Sequence, residues 1–144
     1  MLKKFIILAY LSALETTSKQ LLKLHLTSIS GVNAFTGYGE DYVMVNRQRH
    51  ERNLLVLRDR LLTDWLPAGF DDLTAEHFAR IAELKPEILL LGTGKRLRFP
   101  HPELTRALME ARIGLEVMDF QAACRTYNFL AAEERKVAAA LLFT

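Results

Sequence analysis

The sequence predicts one α/β domain over residues 20–144, a mixed sheet with helices packed on one face. Three observations carry that expectation. Ile88-Leu89-Leu90-Leu91 is a continuous apolar run of strand length between Pro86 and Gly92, as in a strand covered on both faces. Apolar residues change to a helical period on either side of it, from Thr74 and again from Pro102. Strand, helix and strand from Ile88 to Met118 with short connections make a βαβ unit, whose strands run parallel with a right-handed crossover.

Taken in order, Leu22, Leu24 and Leu26 alternate with Lys23, His25 and Thr27, the period of a half-buried strand. Tyr42-Val43-Met44-Val45 and Leu54-Leu55-Val56-Leu57 are two further β runs, and the polar stretch Asn46–Asn53 between them suggests that they pair as a hairpin or meander. Leu61–Leu66 is a short apolar run ended by Pro67 and Gly69, read as a strand, with Trp65 and Phe70 as core or rim packing. Thr74 is placed to cap a helix carrying Phe78, Ile81 and Ala82, and Pro86 to stop it. Pro102 suits a first helical turn; Leu104, Ala107, Leu108 and Ala111 share a face, and Gly114 follows the end. Leu115–Met118 is the next strand, and Asp119 can cap a helix to about Ala131. The alanines of Lys136–Phe143 favour helix, whereas Val137, Ala139 and Leu141 alternate as a strand would.

A chain of 144 residues, half of them hydrophobic, suffices for one core and not for two ordinary domains. Lys plus Arg number 19 against 17 Asp plus Glu, a balanced surface with no strong field for nucleic acid or acidic lipid. The single cysteine, Cys124, excludes an intramolecular disulfide and fits a reducing compartment, hence a cytoplasmic location. At the N-terminus Lys3-Lys4 precede the mostly apolar run Phe5–Leu14, too short to span a bilayer and without a small-residue cleavage spacing after it. Residues 1–19 read as a packing or membrane-anchoring helix, as a degenerate signal, or as an extension outside the native domain, with export the least favoured.

Two constellations are candidates for chemistry. Gly92-Thr93-Gly94 follows the buried strand, where α/β proteins bring backbone N–H groups to a ligand, and Lys95, Arg96 and Arg98 are placed to pair with an anion. Leu97 stands where a dinucleotide fingerprint needs its third glycine, and the Gly-Lys-Ser/Thr ending of a phosphate loop is missing. A tight turn covered by solvated cations accounts for the same residues. The second group is Glu116, Cys124, Arg125, Thr126, Tyr127 and Asn128, in which Arg125 or Asn128 is placed to hold Glu116. Cys124 reads either as a thiolate lowered by Arg125 or, more simply, as a buried inert thiol. His25, His50, His77 and His101 have no metal-ligand spacing, so neither a metal nor a cofactor is indicated. Arg47, Arg49 and Arg52 form a basic loop without the aromatics that stack bases, which reads as a solvated hairpin tip.

The runs Lys85–Gly94, Gly114–Met118, Ala123–Leu130 and Arg135–Leu141 together resemble one family, the small Mth-type domains that include mitochondrial complex I assembly factor 3 and its prokaryotic relatives. The likeness covers about residues 22–142. It implies a three-layer β/β/α fold with a mixed central sheet, in which Lys136–Leu142 is a strand. It also implies a non-enzymatic assembly factor working with a protein partner at an inner membrane, a membrane complex or its assembly machinery. Two departures stand out: Asp119-Phe120 replace the Thr or Ser often found there, and residues 1–19 have no counterpart. The leading expectation is therefore a cytoplasmic interaction or assembly module, peripheral to the inner membrane; residues 1–19 supply membrane contact if they are an anchor and not a signal or an extension. The rival is an anionic-ligand binder or enzyme using the glycine turn and the Glu116/Cys124/Arg125 group.

Overall fold

The computed structural model describes residues 31–64 and 67–143. The expected strand at Leu22–Leu26, the N-terminal run, and Trp65 lie outside the described residues. The elements in chain order are β1 (Phe35–Tyr38), β2 (Val43–Val45), β3 (Gln48–His50), β4 (Leu54–Leu57), β5 (Leu61–Leu62), a 3-10 turn at Phe70–Asp72, α1 (Ala75–Glu83), β6 (Ile88–Gly92), α2 (Arg106–Glu110), β7 (Gly114–Met118), α3 (Phe120–Ala132) and β8 (Val137–Leu141). They form a three-stranded antiparallel sheet, β1-β2-β3, and a five-stranded mixed sheet in the order β5-β4-β8-β6-β7.

The βαβ expectation holds: β6 and β7 are parallel, with Ile88 to Gly92 opposite Gly114 to Met118. The second parallel partner of β6 is β8, and β4 runs antiparallel to β8. The middle strand of the sheet is thus β8, the segment whose propensity favoured helix. Its five residues are all buried and alternate between two cores. Val137, Ala139 and Leu141 join Leu54, Val56 and Leu90 on the face covered by α3 and the small sheet. Ala138, Ala140 and Leu142 join Leu55, Leu57, Leu89 and Leu91 on the face covered by α1 and α2. These layers are the small sheet, the mixed sheet and the helices. The helices α1 and α2 share one face as expected, whereas α3 lies on the other, beside the small sheet.

Helix ends follow the sequence signals closely. Thr74 caps α1: its Oγ1 accepts from the His77 N–H, and the Thr74 N–H donates to His77 Nδ1 at 3.0 Å, a reciprocal cap in which histidine replaces the usual Glu or Gln. Lys85 takes positive φ just past the helix, before Pro86. Asp119 caps α3 by accepting from the Ala122 N–H at 2.8 Å. The second helix is shorter than its pattern suggests. Residues 102–105 make single turns, with the Glu103 N–H donating to His101 Nδ1, and α2 begins only at Arg106. Its left-handed terminator is Arg112 at φ 58°, and Gly114 already belongs to β7.

The expected pairing of Tyr42–Val45 with Leu54–Leu57 is not what forms. Val43–Val45 pairs with Gln48–His50 across a two-residue turn, and Leu54–Leu57 joins the other sheet. That turn is Asn46-Arg47, with φ 51° and 70°, the double left-handed conformation that matches strand twist in tight hairpins. Arginine stands where glycine usually signals such a turn, so the hairpin hid inside a stretch that reads as polar loop. His50 therefore sits on β3 instead of in an exposed loop. The run from Leu61 is a strand only over Leu61–Leu62 among the described residues.

Gly92 lies close both to its neighbour strand β8 and to the start of α3. A Cβ on it would lie 2.8 Å from Leu141 Cδ2, 3.0 Å from Phe120 Cα and 3.1 Å from Ala123 Cβ. Gly92→Ala should therefore lower the stability to denaturant by about 1–3 kcal/mol, the usual range for overpacking a core. An unchanged denaturation midpoint would show that α3 can shift to make room.

Candidate functional site

The turn after β6 is held by its own side chains. Thr93 is only 2% exposed: its hydroxyl donates to the Arg96 carbonyl at 2.6 Å and accepts from the Arg98 N–H at 3.1 Å, closing the loop 93–98. Its N–H donates to the Met118 carbonyl at 2.9 Å, tying the turn to the end of β7. Gly94 takes φ 84°, and its carbonyl accepts from the Phe120 N–H at the start of α3. Arg98 pairs with Asp71 and lies over the Phe70 ring; that guanidinium holds the Asp71 carboxyl below its usual range.

A shallow, open depression of about 330 Å³ adjoins this turn, lined by Glu40, Gly94, Lys95, Asp119, Phe120 and Gln121. Its electrostatics are poor for an anion. Lys95 lies 3.3 Å from Asp41, and the walls carry the carboxylates Glu40 and Asp119. Two of the first amides of α3, which would help make an anion cradle, are already engaged: that of Phe120 by the Gly94 carbonyl and that of Ala122 by the Asp119 side chain. Arg96 is exposed. The depression takes in Gly94 and Lys95 but none of Glu116, Cys124, Arg125, Thr126, Tyr127 or Asn128.

That second group divides by helix face. Cys124 and Tyr127 point into the core, fully buried; Arg125 is exposed; Thr126 and Asn128 are intermediate. Asn128 makes a pair of hydrogen bonds to one residue's backbone: its Oδ1 accepts from the Phe35 N–H at 2.9 Å and its Nδ2 donates to the Phe35 carbonyl at 2.8 Å. The amide thus mimics a neighbouring strand along β1. Tyr127 donates its hydroxyl to the Asn33 carbonyl at 2.9 Å while its ring meets Phe35 edge-on at 5.1 Å. Arg125 Nη1 donates to the Tyr38 hydroxyl at 3.0 Å. Glu116 is exposed on β7, and no ion pair joins it to Arg125 among the described residues. Burial pushes the Cys124 thiol and the Tyr127 phenol well above their ordinary ionisation, outweighing the nearby Arg125 and Arg58 charges. Cys124 is therefore a protonated core thiol and a poor nucleophile. Among the described residues no three His, Cys, Asp or Glu side chains converge as metal ligands.

Sequence reasoning found the α3 segment but not its partners. Asn33 N–H and Nδ2 donate to the carbonyls of Arg58 and Leu57, and Asn46 Oδ1 accepts from the Ala34 N–H. Asn53 Oδ1 accepts from Phe143 N–H, and its Nδ2 donates to Pro67 at 2.6 Å. Lone asparagines in loops carry no spacing signal, so only the fold exposes this role. Three large apolar side chains stand out as exposed among the described residues: Leu97 at 54%, Phe99 at 70% and Met109 at 74%.

Fold and site define a mixed-sheet α/β domain whose polar signature residues bind its two sheets together. The chain belongs to the family described as protein of unknown function DUF498/DUF598, which residues 35–142 match. It is 36% identical over 89 residues to NADH dehydrogenase [ubiquinone] 1 alpha subcomplex assembly factor 3 of Mus musculus, covering 60% of this chain. The match spans about half the length of that relative, 48%. A Bordetella parapertussis protein of known crystal structure superposes with a TM-score of 0.74 at 39% identity, over 79% of this chain and 98% of the other. The 13 kDa major membrane protein of Francisella tularensis is 33% identical over 46% of this chain and 54% of its own length. No helix among the described residues is long and apolar enough to cross a membrane.

Two outcomes follow. Asn128→Ala leaves the Phe35 N–H and carbonyl without their side-chain partners and should cost about 1–3 kcal/mol in denaturant unfolding; an effect within experimental error would mean that water replaces the amide freely. Cys124 and Tyr127 are acids whose folded ionisation is raised, so their contribution is complete below the unfolded value and fades as pH rises above it. Stability should fall from about pH 9, the ordinary value of the thiol being 9.0, and more steeply past 10.0, that of the phenol. Cys124→Ala should remove the first part of that fall, and an identical alkaline profile would contradict the burial argument.

Proposed function

We propose that this chain is a non-enzymatic interaction module that assists assembly of a membrane protein complex, acting peripherally at the cytoplasmic face of the inner membrane. The observation that carries the reading is the placing of Leu97, Phe99 and Met109. All three are exposed and all lie in the single crossover between β6 and β7. Large apolar groups gathered on one connection are the composition of a contact surface, with Phe99 suited to be its anchor. The similarity to a complex I assembly factor supports a protein-complex role.

The signature residues fit this division of labour. Thr93, Tyr127 and Asn128 spend their polar groups on internal backbone, and Cys124 stays protonated, so none is left to carry a reaction. The glycine turn then serves to present the crossover loop that Thr93 closes.

Leu97→Ser with Phe99→Ser changes exposed side chains only, so thermal stability should stay within about 0.5 kcal/mol of the parent. Affinity purification at native expression should recover a membrane-complex subunit or assembly protein with the parent chain and lose it with the double variant. Equal recovery by both chains, or none by the parent, would overturn the proposal.

A further inference from the structure

At the end of β6 opposite the glycine turn lies a second cavity, of about 370 Å³. Three segments wall it: the β4–β5 connection, Leu57 to Arg60; the end of α1, Leu84 to Pro86; and the start of β8, Lys136 and Val137. Four of its residues are cationic, Arg58, Arg60, Lys85 and Lys136, against one acid, Asp59. Arg60 is paired with Asp59 at 3.4 Å, and the adjoining Glu87 is taken by Arg135 at 2.7 Å. Arg58, Lys85 and Lys136 make no ion pair within 4.0 Å among the described residues, although Glu87 is near enough to Lys136 to feel its charge. Lys85 also complements the carboxyl end of α1, a role that accounts for one cation and not for three.

Arg58 carries an independent mark. Its Nε is buried and has no hydrogen-bond partner in the protein. A buried donor without a partner is costly, and the guanidinium that lines this cavity is the planar, fixed-charge group that pairs best with oxyanions. The remaining wall is apolar, from Leu57, Leu84, Pro86 and Val137. A pocket of this size with a few convergent charges on an apolar wall is typical of small-ligand sites.

We propose that this cavity binds a dianionic phosphate group on a small organic body, with Arg58, Lys85 and Lys136 holding the phosphate and the leucine, proline and valine side chains the body. Two sources share that chemistry, a soluble phosphorylated metabolite and a phosphatidic acid headgroup. The site stands apart from the proposed crossover interface and does not depend on it.

The test uses the full chain and the variant Lys85→Gln/Lys136→Gln, both positions being exposed and therefore safe for folding. Melting temperature is followed against inorganic phosphate, pyrophosphate and adenosine monophosphate at constant ionic strength, and co-sedimentation against phosphatidic acid vesicles with phosphatidylcholine vesicles as control. A saturable rise in melting temperature, or vesicle binding, that is at least tenfold weaker in the variant supports the site. Solution binding alone points to a metabolite, and vesicle binding with no soluble effect points to a headgroup. No response to any probe beyond that of matched sodium chloride, or a response equal in parent and variant, overturns the proposal. Arg58→Lys, which keeps charge but loses the fork, should weaken whichever response is seen.

Discussion

The packing of β8 between two layers is the constraint on which the rest of the structure depends. A strand buried along all five residues has no solvent face, so each residue must fit a core, and the choice of residue fixes the distance to the covering layer. Alanines at 138, 139 and 140 keep both layers close. Gly92 on the neighbouring strand and Ala123 on α3 continue the same economy of volume. With that spacing set, Leu54 and Val56 reach Phe120 and Tyr127 on one side while Leu55 and Leu89 reach Phe78 and Ile81 on the other. Larger side chains at these positions would separate the layers and leave voids around the leucines.

Attachment of the small sheet rests on a different kind of interaction. The sheet β1-β2-β3 buries Phe35, Val43 and Val45 against α3 and the mixed sheet, yet apolar contact alone leaves its register loose. Asn128, Tyr127 and Asn33 supply that register through bonds to individual backbone groups. Hydrophobic area supplies most of the attraction and the directed bonds set the alignment, which is why three residues of modest energy can decide where a sheet sits.

Periodicity and cap chemistry made the second half of the chain legible. Thr74, Pro86, Gly92, Asp119 and the apolar run Ile88–Leu91 place α1, β6 and α3 to within a residue or two. The first half was less so, because Asn46-Arg47 makes a hairpin turn without glycine and because the decisive partners of β1 lie about ninety residues away, at Tyr127 and Asn128. For β8, alanine propensity pointed to helix while the alternation of Val137, Ala139 and Leu141 pointed to strand; the resemblance favoured the strand, which forms because burial between layers outweighs local preference. The candidate site was half legible. The α3 segment was recognised as unusual, but its Asn128 meets the backbone of β1 and its Arg125 the Tyr38 hydroxyl instead of Glu116. Arg58, Lys85 and Lys136 escaped notice because 51 and 27 positions separate Lys136 and Lys85 from their cavity neighbours at 85 and 58.

The polar side chains of α3 thus act architecturally, tying β1 to the core through directed bonds. The amide of Phe35 reports on this most directly, because its N–H donates to the Asn128 side chain. Native-state hydrogen exchange should show that amide protected to nearly the same free energy as the amides of β8, and Asn128→Ala should drop Phe35 to local exchange while β8 stays protected. Phe35 exchange that is already fast in the parent chain, or that does not change in the variant, would contradict the account.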